Sequence, residues 1–179
     1  MFQPANEGGD LYVSYWLKYQ PDLGQLMTVG PVGTGGWHWR VVFEWKTAGD
    51  YRVIASVKRD PYVNGGNLFW TVQGDNEANG GLAYQKFWEV SNTAIPVPVD
   101  QWFKFEVFWH RSSGSDGRVW MAVNGQVIAD HYGPNKGVNN APINRIMMPN
   151  LYSSTAYPIY QWIDDVQIWD GFPSDAAPH

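Results

Sequence analysis

Arg118-Val-Trp-Met-Ala-Val-Asn-Gly-Gln-Val-Ile-Ala-Asp130 decides the fold class. Ahead of Asn124-Gly125, Val119, Met121 and Val123 alternate with Arg118, Trp120 and Ala122. A period of two places successive side chains on opposite faces of a strand. Asn-Gly tolerates the positive φ that a tight two-residue turn demands, so the stretch reads as a β-hairpin. The same punctuation recurs at Asn64-Gly65, Asn79-Gly80, Asp116-Gly117 and Asp170-Gly171.

The flanking sequence repeats the pattern. Leu11, Val13, Tyr15 and Leu17 alternate with Tyr12, Ser14, Trp16 and Lys18. Over 37–46, Trp39, Val41, Phe43 and Trp45 share one face, and His38, Arg40, Val42, Glu44 and Lys46 share the other. Over 102–111, Phe103, Phe105, Val107 and Trp109 alternate with Lys104, Glu106, Phe108 and His110. Further runs lie at 51–59, 67–73 and 82–90, and a last one from 159 to 169 keeps Tyr160, Trp162, Val166 and Ile168 in phase. Roughly ten short strands separated by turn signals predict an all-β, two-sheet antiparallel β-sandwich. Trp39, Trp45, Trp109 and Trp162 are expected in its core. No window holds a helical period free of Gly or Pro, and residues 1–9 and 173–179 read as linker stubs of a single domain spanning 1–179.

The chain has 179 residues, 12 Lys plus Arg against 17 Asp plus Glu, a formal net charge of -5, no Cys and 11 Trp. That length buries a full core without staples. The acidic balance lacks the basic footprint of a nucleic-acid binder. Without Cys there is no disulfide scaffold, thiolate metal site or cysteine nucleophile. No apolar run approaches the roughly 20 residues of a membrane span, so no membrane insertion is expected. Met1-Phe2-Gln3-Pro4 lacks both the basic and the apolar regions of a signal peptide. The Trp content exceeds what a core of this size needs, which points to indoles at a surface.

Three strings carry a resemblance: Asp100-Gln-Trp-Phe-Lys-Phe-Glu-Val, Asp116-Gly-Arg-Val-Trp-Met-Ala-Val-Asn-Gly-Gln, and Tyr160-Gln-Trp-Ile-Asp-Asp-Val-Gln-Ile-Trp. They resemble the concanavalin A-like jelly-roll superfamily, nearest in character to laminin-G-like modules and polysaccharide-lyase-like sandwiches. The likeness is clearest over 100–169, and Leu11-Tyr-Val-Ser-Tyr-Trp-Leu-Lys is similar to the opening strand of that fold. It implies a sandwich with one concave sheet, whose face or rim takes up an oligosaccharide in many members.

A pyranose ring has an apolar C–H face and a rim of hydroxyls, so its site needs exposed indole beside Arg, Glu, Gln, Asn or His. His38, Arg40 and Glu44 on one strand, Glu106 and His110 on a second and Trp120 on a third supply such groups. Gln73 and Trp88 extend the set, and Trp37 is a candidate rim platform. The competing readings are an Arg40–Glu44 surface ion pair of little energetic value and a solvated back face at Lys104, Glu106 and His110. Glu44, Glu89 and Glu106 are the carboxylates a retaining glycosidase pair would draw on. The Glu-x-Asp-x-x-Glu strand motif of laminarinase-like glucanases is absent. His38, Arg40, Gln73, His110 and Tyr152 could be cast in lyase roles, yet the Arg-x-Glu-x-Arg and Gln-Ile-His or Gln-Val-His strands of alginate lyases are missing. No Gly-x-Ser-x-Gly, Walker or His-Glu-x-x-His motif occurs.

Asp164 shares parity with Val166 and Ile168 and so is expected to point inward, where a carboxylate needs a partner or a cation. The resemblance implies a structural calcium held by such an Asp with N-terminal oxygens, here Glu7 and Asp10. The alternative is an Asp that accepts backbone N–H bonds at a bulge. The leading expectation is a non-catalytic carbohydrate-binding module, secreted or at the cell surface, that recognises a polysaccharide as one domain of a larger protein. A small polysaccharide lyase or glycoside hydrolase, and a laminin-G-like or adhesin protein-interaction module, are the alternatives.

Overall fold

The computed structural model describes residues 10–27, 38–47, 51–76, 83–138, 143–148 and 160–174. Among them are ten strands: β1 Asp10–Tyr19, β2 His38–Thr47, β3 Arg52–Arg59, β4 Leu68–Asp75, β5 Lys86–Asn92, β6 Trp102–His110, β7 Arg118–Val123, β8 Gln126–Tyr132, β9 Ile143–Met147 and β10 Gln161–Trp169. A single helical turn, α1 Leu23–Leu26, follows β1. Two antiparallel five-stranded sheets form, ordered β10-β1-β6-β7-β8 (sheet A) and β5-β4-β3-β2-β9 (sheet B). The all-β sandwich read from the alternation is therefore the observed architecture. β7 and β8 make the expected hairpin, with Asn124 at φ 49 and Gly125 at φ 75. β9 is a strand that the sequence reading did not delimit.

The core lies between the sheets. Val13, Tyr15, Leu17, Phe103, Phe105, Val107, Val119 and Met121 come from sheet A, and Phe43, Trp45, Val53, Ala55, Val57, Trp70 and Val72 from sheet B. Trp45 and Trp109 pack at 5.0 Å between ring centroids, as expected for core indoles. The phenol of Tyr15, pushed up by complete burial and then by Tyr19, donates across the core to the Val42 carbonyl at 3.0 Å.

That carbonyl belongs to a β-bulge, and the bulge changes the reading of β2. Val41 pairs with Ser56 while Phe43 pairs with Ala55, so Val42 is an extra residue. An extra residue reverses the alternation beyond it. His38 and Arg40, opposite Arg59 and Val57, lie on the core side, whereas Glu44 and Lys46 lie on the outer face. His38 and Arg40 are buried, and Arg40 Nε donates to Gln161 Oε1 of β10 at 2.9 Å. Arg40 and Glu44 thus occupy opposite faces and cannot form the surface pair considered above. Trp39, expected in the core, is half-buried on the outer face.

β10 carries a second bulge. Ser14 pairs with Gln167 but Trp16 with Asp164, and Asp165 sits at φ 48. Ile163 and Ile168, of opposite parity, both pack on the core. Trp162, expected inside, is 48% exposed on the outer face of sheet A, and Asp164 and Val166 are exposed as well. On that outer face Tyr12, Phe108, Trp120 and Ala122 form a small apolar cluster capped by Phe172. Trp120, a candidate sugar platform, is thereby buried; its ring meets Phe172 edge-on at 5.1 Å.

Candidate functional site

The outer face of sheet B forms a cleft of about 860 Å³. The bulge in β2, the regular pairing of β3 with β4 and a register shift at Phe87 of β5 arrange its side chains in rows across the strands. Trp39, Lys58 and Phe69 stand opposite one another in the first row. Val41, Ser56, Thr71 and Ser91 make the second. Their small side chains give the cleft its low floor. Glu44, Ile54, Gln73 and Glu89 form the third, and Lys46, Arg52, Asp75 and Lys86 the fourth. Tyr84 leans over the Gln73 end and is half exposed.

Charge in the cleft is networked. Lys58 and Lys86 both reach Oε2 of Glu89, at 3.1 and 3.0 Å. Burial alone would raise the Glu89 carboxyl, but the two lysines outweigh it and hold it below the usual carboxylate range. Two ammonium groups on one carboxylate leave a net positive charge over the cleft, in a chain of net -5. Deeper, Arg52 grips Asp75 through two bonds of 2.9 Å and lies 3.6 Å from Glu44, which pairs with Lys46 at 3.0 Å. Gln73 Nε2 donates to Asp75 at 2.7 Å and to the Tyr84 hydroxyl at 2.9 Å. Partial burial, then the Asp75 charge, raises the Tyr84 phenol, so it keeps its proton at neutral pH.

Of the residues named from sequence, Glu44, Gln73 and Glu89 reach this face. His38 and Arg40 turn inward, and Trp120 lies on the other sheet under Phe172. Trp88 turns to the core side at the edge of the sandwich, where its Nε1–H donates to Tyr51 Oη at 2.7 Å and its ring stacks on His131 at 4.0 Å. Burial pushes the His131 imidazole down. Trp37, Glu7 and Tyr152 lie outside the described residues. Trp39, Arg52, Lys58, Phe69 and Tyr84 were not foreseen as site residues. The alternation of Arg52, Ile54, Ser56 and Lys58 against Val53, Ala55 and Val57 was a readable sign of β3's contribution.

The described residues contain no group of three His, Asp or Glu side chains suited to a metal, and Glu7, expected among the calcium ligands, lies outside them. Asp164 points to solvent and accepts the Asp165 backbone N–H at 2.8 Å, the bulge role set against the inward reading. Asp10 is hydrogen-bonded to His110, Oδ1 to Nδ1 at 2.6 Å.

His110 stands at the end of the outer face of sheet A, with Asp116 at 3.6 Å on its other nitrogen. Its pKa is raised, first by the Asp10 hydrogen bond; burial opposes this, and the Asp10 charge and Asp116 add to the rise. A raised folded pKa stabilises the fold fully below the unfolded value near 6.5, and that contribution disappears as pH rises through the folded value. His110→Gln should lower the urea midpoint at pH about 5.5 and leave it unchanged at pH about 8.5, with a loss under about 1 kcal/mol because the site is open to solvent. A difference that stays constant with pH would refute this.

No protein-family model matches the chain, and no curated protein matches it in sequence. Solved structures do match in shape. Alginate lyase Aly36B aligns with a TM-score of 0.61 at 12% identity, over 96% of this chain and 72% of that one. The PL-14 alginate lyase from Aplysia kurodai aligns at 0.51 and 10% identity, over 94% and 73%. The fold is a jelly-roll-like sandwich. At these identities the likeness concerns fold alone.

Proposed function

We propose that the cleft on sheet B binds an extended acidic polysaccharide. The carrying observation is the convergence of Lys58 and Lys86 on one oxygen of Glu89, beside the aromatic rings of Trp39 and Phe69. An anionic sugar presents a carboxylate to the ammonium groups and a C–H face to the half-buried Trp39 ring, which Phe69 backs from the floor of the cleft, while Ser56, Thr71 and Gln73 offer hydroxyl and amide partners for its rim. The likeness of fold to two alginate lyases supports a uronate chain as the ligand class. The expectation of a polysaccharide ligand narrows accordingly to an acidic one.

Binding without turnover is the first reading because of the protonation states in the cleft. Elimination from a uronate needs a base for the ring proton. Among the described lining groups the Tyr84 phenol is held protonated, Glu89 is doubly ion-paired and Asp60 accepts the Tyr62 backbone N–H at 2.8 Å. A uronate lyase is the second reading, favoured by the Tyr84 hydroxyl and Gln73 amide set close to Arg52. Those donors suit the charge that builds on a uronate carboxylate during elimination.

Affinity electrophoresis in gels containing alginate, pectate or a neutral glucan separates these readings. Retardation by an acidic polymer should weaken as salt rises from about 0.05 to about 0.5 M. Trp39→Ala should weaken binding roughly tenfold, and Lys58→Gln with Lys86→Gln should weaken it for acidic polymers alone. No retardation by any acidic polymer refutes the proposal. Growth of unsaturated-uronate absorbance, abolished by Tyr84→Phe, establishes the lyase reading in its place.

A further inference from the structure

The second surface lies on the opposite side of the sandwich. Trp162 and Trp102 stand on either side of Lys18 in one row across β10, β1 and β6. Trp16 is the next outward residue along β1, between Asp164 and Lys104. The three indoles are 48%, 45% and 40% exposed. Strand spacing sets Trp162 and Trp102 roughly 10 Å apart, with Trp16 diagonal to both at roughly 7–8 Å. Such an array is a shallow platform on a sheet face and is separate from the cleft on sheet B.

Two observations select its occupant. Each indole is flanked by charge: Lys18 lies between Trp162 and Trp102, and Asp164 and Lys104 border Trp16. Protein interface cores are depleted in Lys, Asp and Glu, so this alternation does not suit a protein partner. A sugar chain needs this mixture, with rings for its C–H faces and charged groups for its hydroxyls. The lysines are also neutralised, Lys18 by Asp100 at 3.0 Å and Lys104 by Glu106 at 3.2 Å. With Asp164 adding a further negative charge, nothing here attracts an anionic polymer. We propose that Trp16, Trp102 and Trp162 form a second glycan-binding face, selective for a neutral polysaccharide. The proposal is independent of the reading of the cleft.

The test is a depletion assay at about 0.5 M salt, where exposed charges are screened over a few ångströms. The probes are insoluble cellulose and soluble mixed-linkage glucan. The wild type should bind at least one of them, and Trp102→Gln with Trp162→Gln should weaken that binding by about tenfold or more. The same double variant should leave retardation by alginate unchanged. Acrylamide quenching of wild-type indole fluorescence should fall when the glycan is added, a readout that needs no variant. Failure of the wild type to bind either neutral glycan, or equal binding by the double variant, overturns the proposal. It is equally overturned if the double variant instead abolishes a concentration-dependent self-association in sedimentation, or the binding of phosphatidylcholine vesicles.

Discussion

Arg52→Met is expected to lower the unfolding free energy by about 3–5 kcal/mol, the cost of breaking a buried ion pair from one side. Both of its partners have fully buried side chains. Asp75 loses two charge-assisted bonds and keeps the Gln73 amide, while Glu44 keeps Lys46 but loses the neighbouring guanidinium. Methionine replaces the volume of the arginine stem and supplies no donor, so the penalty is electrostatic rather than steric. The urea midpoint should fall with the slope unchanged. The double variant Arg52→Met, Asp75→Leu should recover part of the loss, because removing both partners leaves no orphaned charge at Asp75. A loss below about 1 kcal/mol would mean that the pair is effectively solvated. Arg52 also lines the cleft, so any residual folded variant should bind acidic polymer less tightly.

Gly74→Ala should cost about 1–3 kcal/mol by overpacking. A Cβ at this position would stand 2.2 Å from the Tyr51 hydroxyl and 2.4 Å from Trp88 Nε1. Those atoms are hydrogen-bonded to each other, so one methyl group displaces both partners at once. Trp88 would also lose its register with His131, which links the edge strands β5 and β8 of the two sheets. Thermal unfolding should show the loss in the wild-type background. It should shrink clearly when Tyr51→Phe and Trp88→Leu have already cleared the space. An equal loss in both backgrounds would place its cause elsewhere.

The fold was legible because period-two alternation and Asn-Gly turns are local signals, and tertiary contacts reinforced them. The hairpin around Asn124, the core positions of β1 and β6, and the burial of Trp45 and Trp109 all follow from alternation alone. The site was far less legible, for one physical reason. A bulge adds a single residue, and Val42 has no composition that marks it as the extra one. That insertion sent Arg40 inward, kept Glu44 outside and brought Trp39 to the cleft. The bulge at Asp165 likewise exposed Trp162. The indole excess did indicate surface aromatics, though at different positions. Trp16, Trp102, Trp162 and Trp169 are 40–48% exposed, while Trp120 is sealed by Phe172. That seal depends on a residue beyond the last strand, with no periodicity to announce it.

The pairing of β1 with β10 has a mechanical consequence. Tyr12 lies opposite Trp169 and Tyr19 opposite Gln161, so the start of the first strand and the finish of the last are side by side. A load applied between Asp10 and Trp169 therefore opens this ladder like a zipper, straining one hydrogen-bonded pair at a time. Terminal strands with the opposite arrangement would be sheared, with all their bonds loaded together. Under tension this sandwich peels at its β1–β10 seam first, and the cleft on sheet B lies in the sheet that does not bear the load.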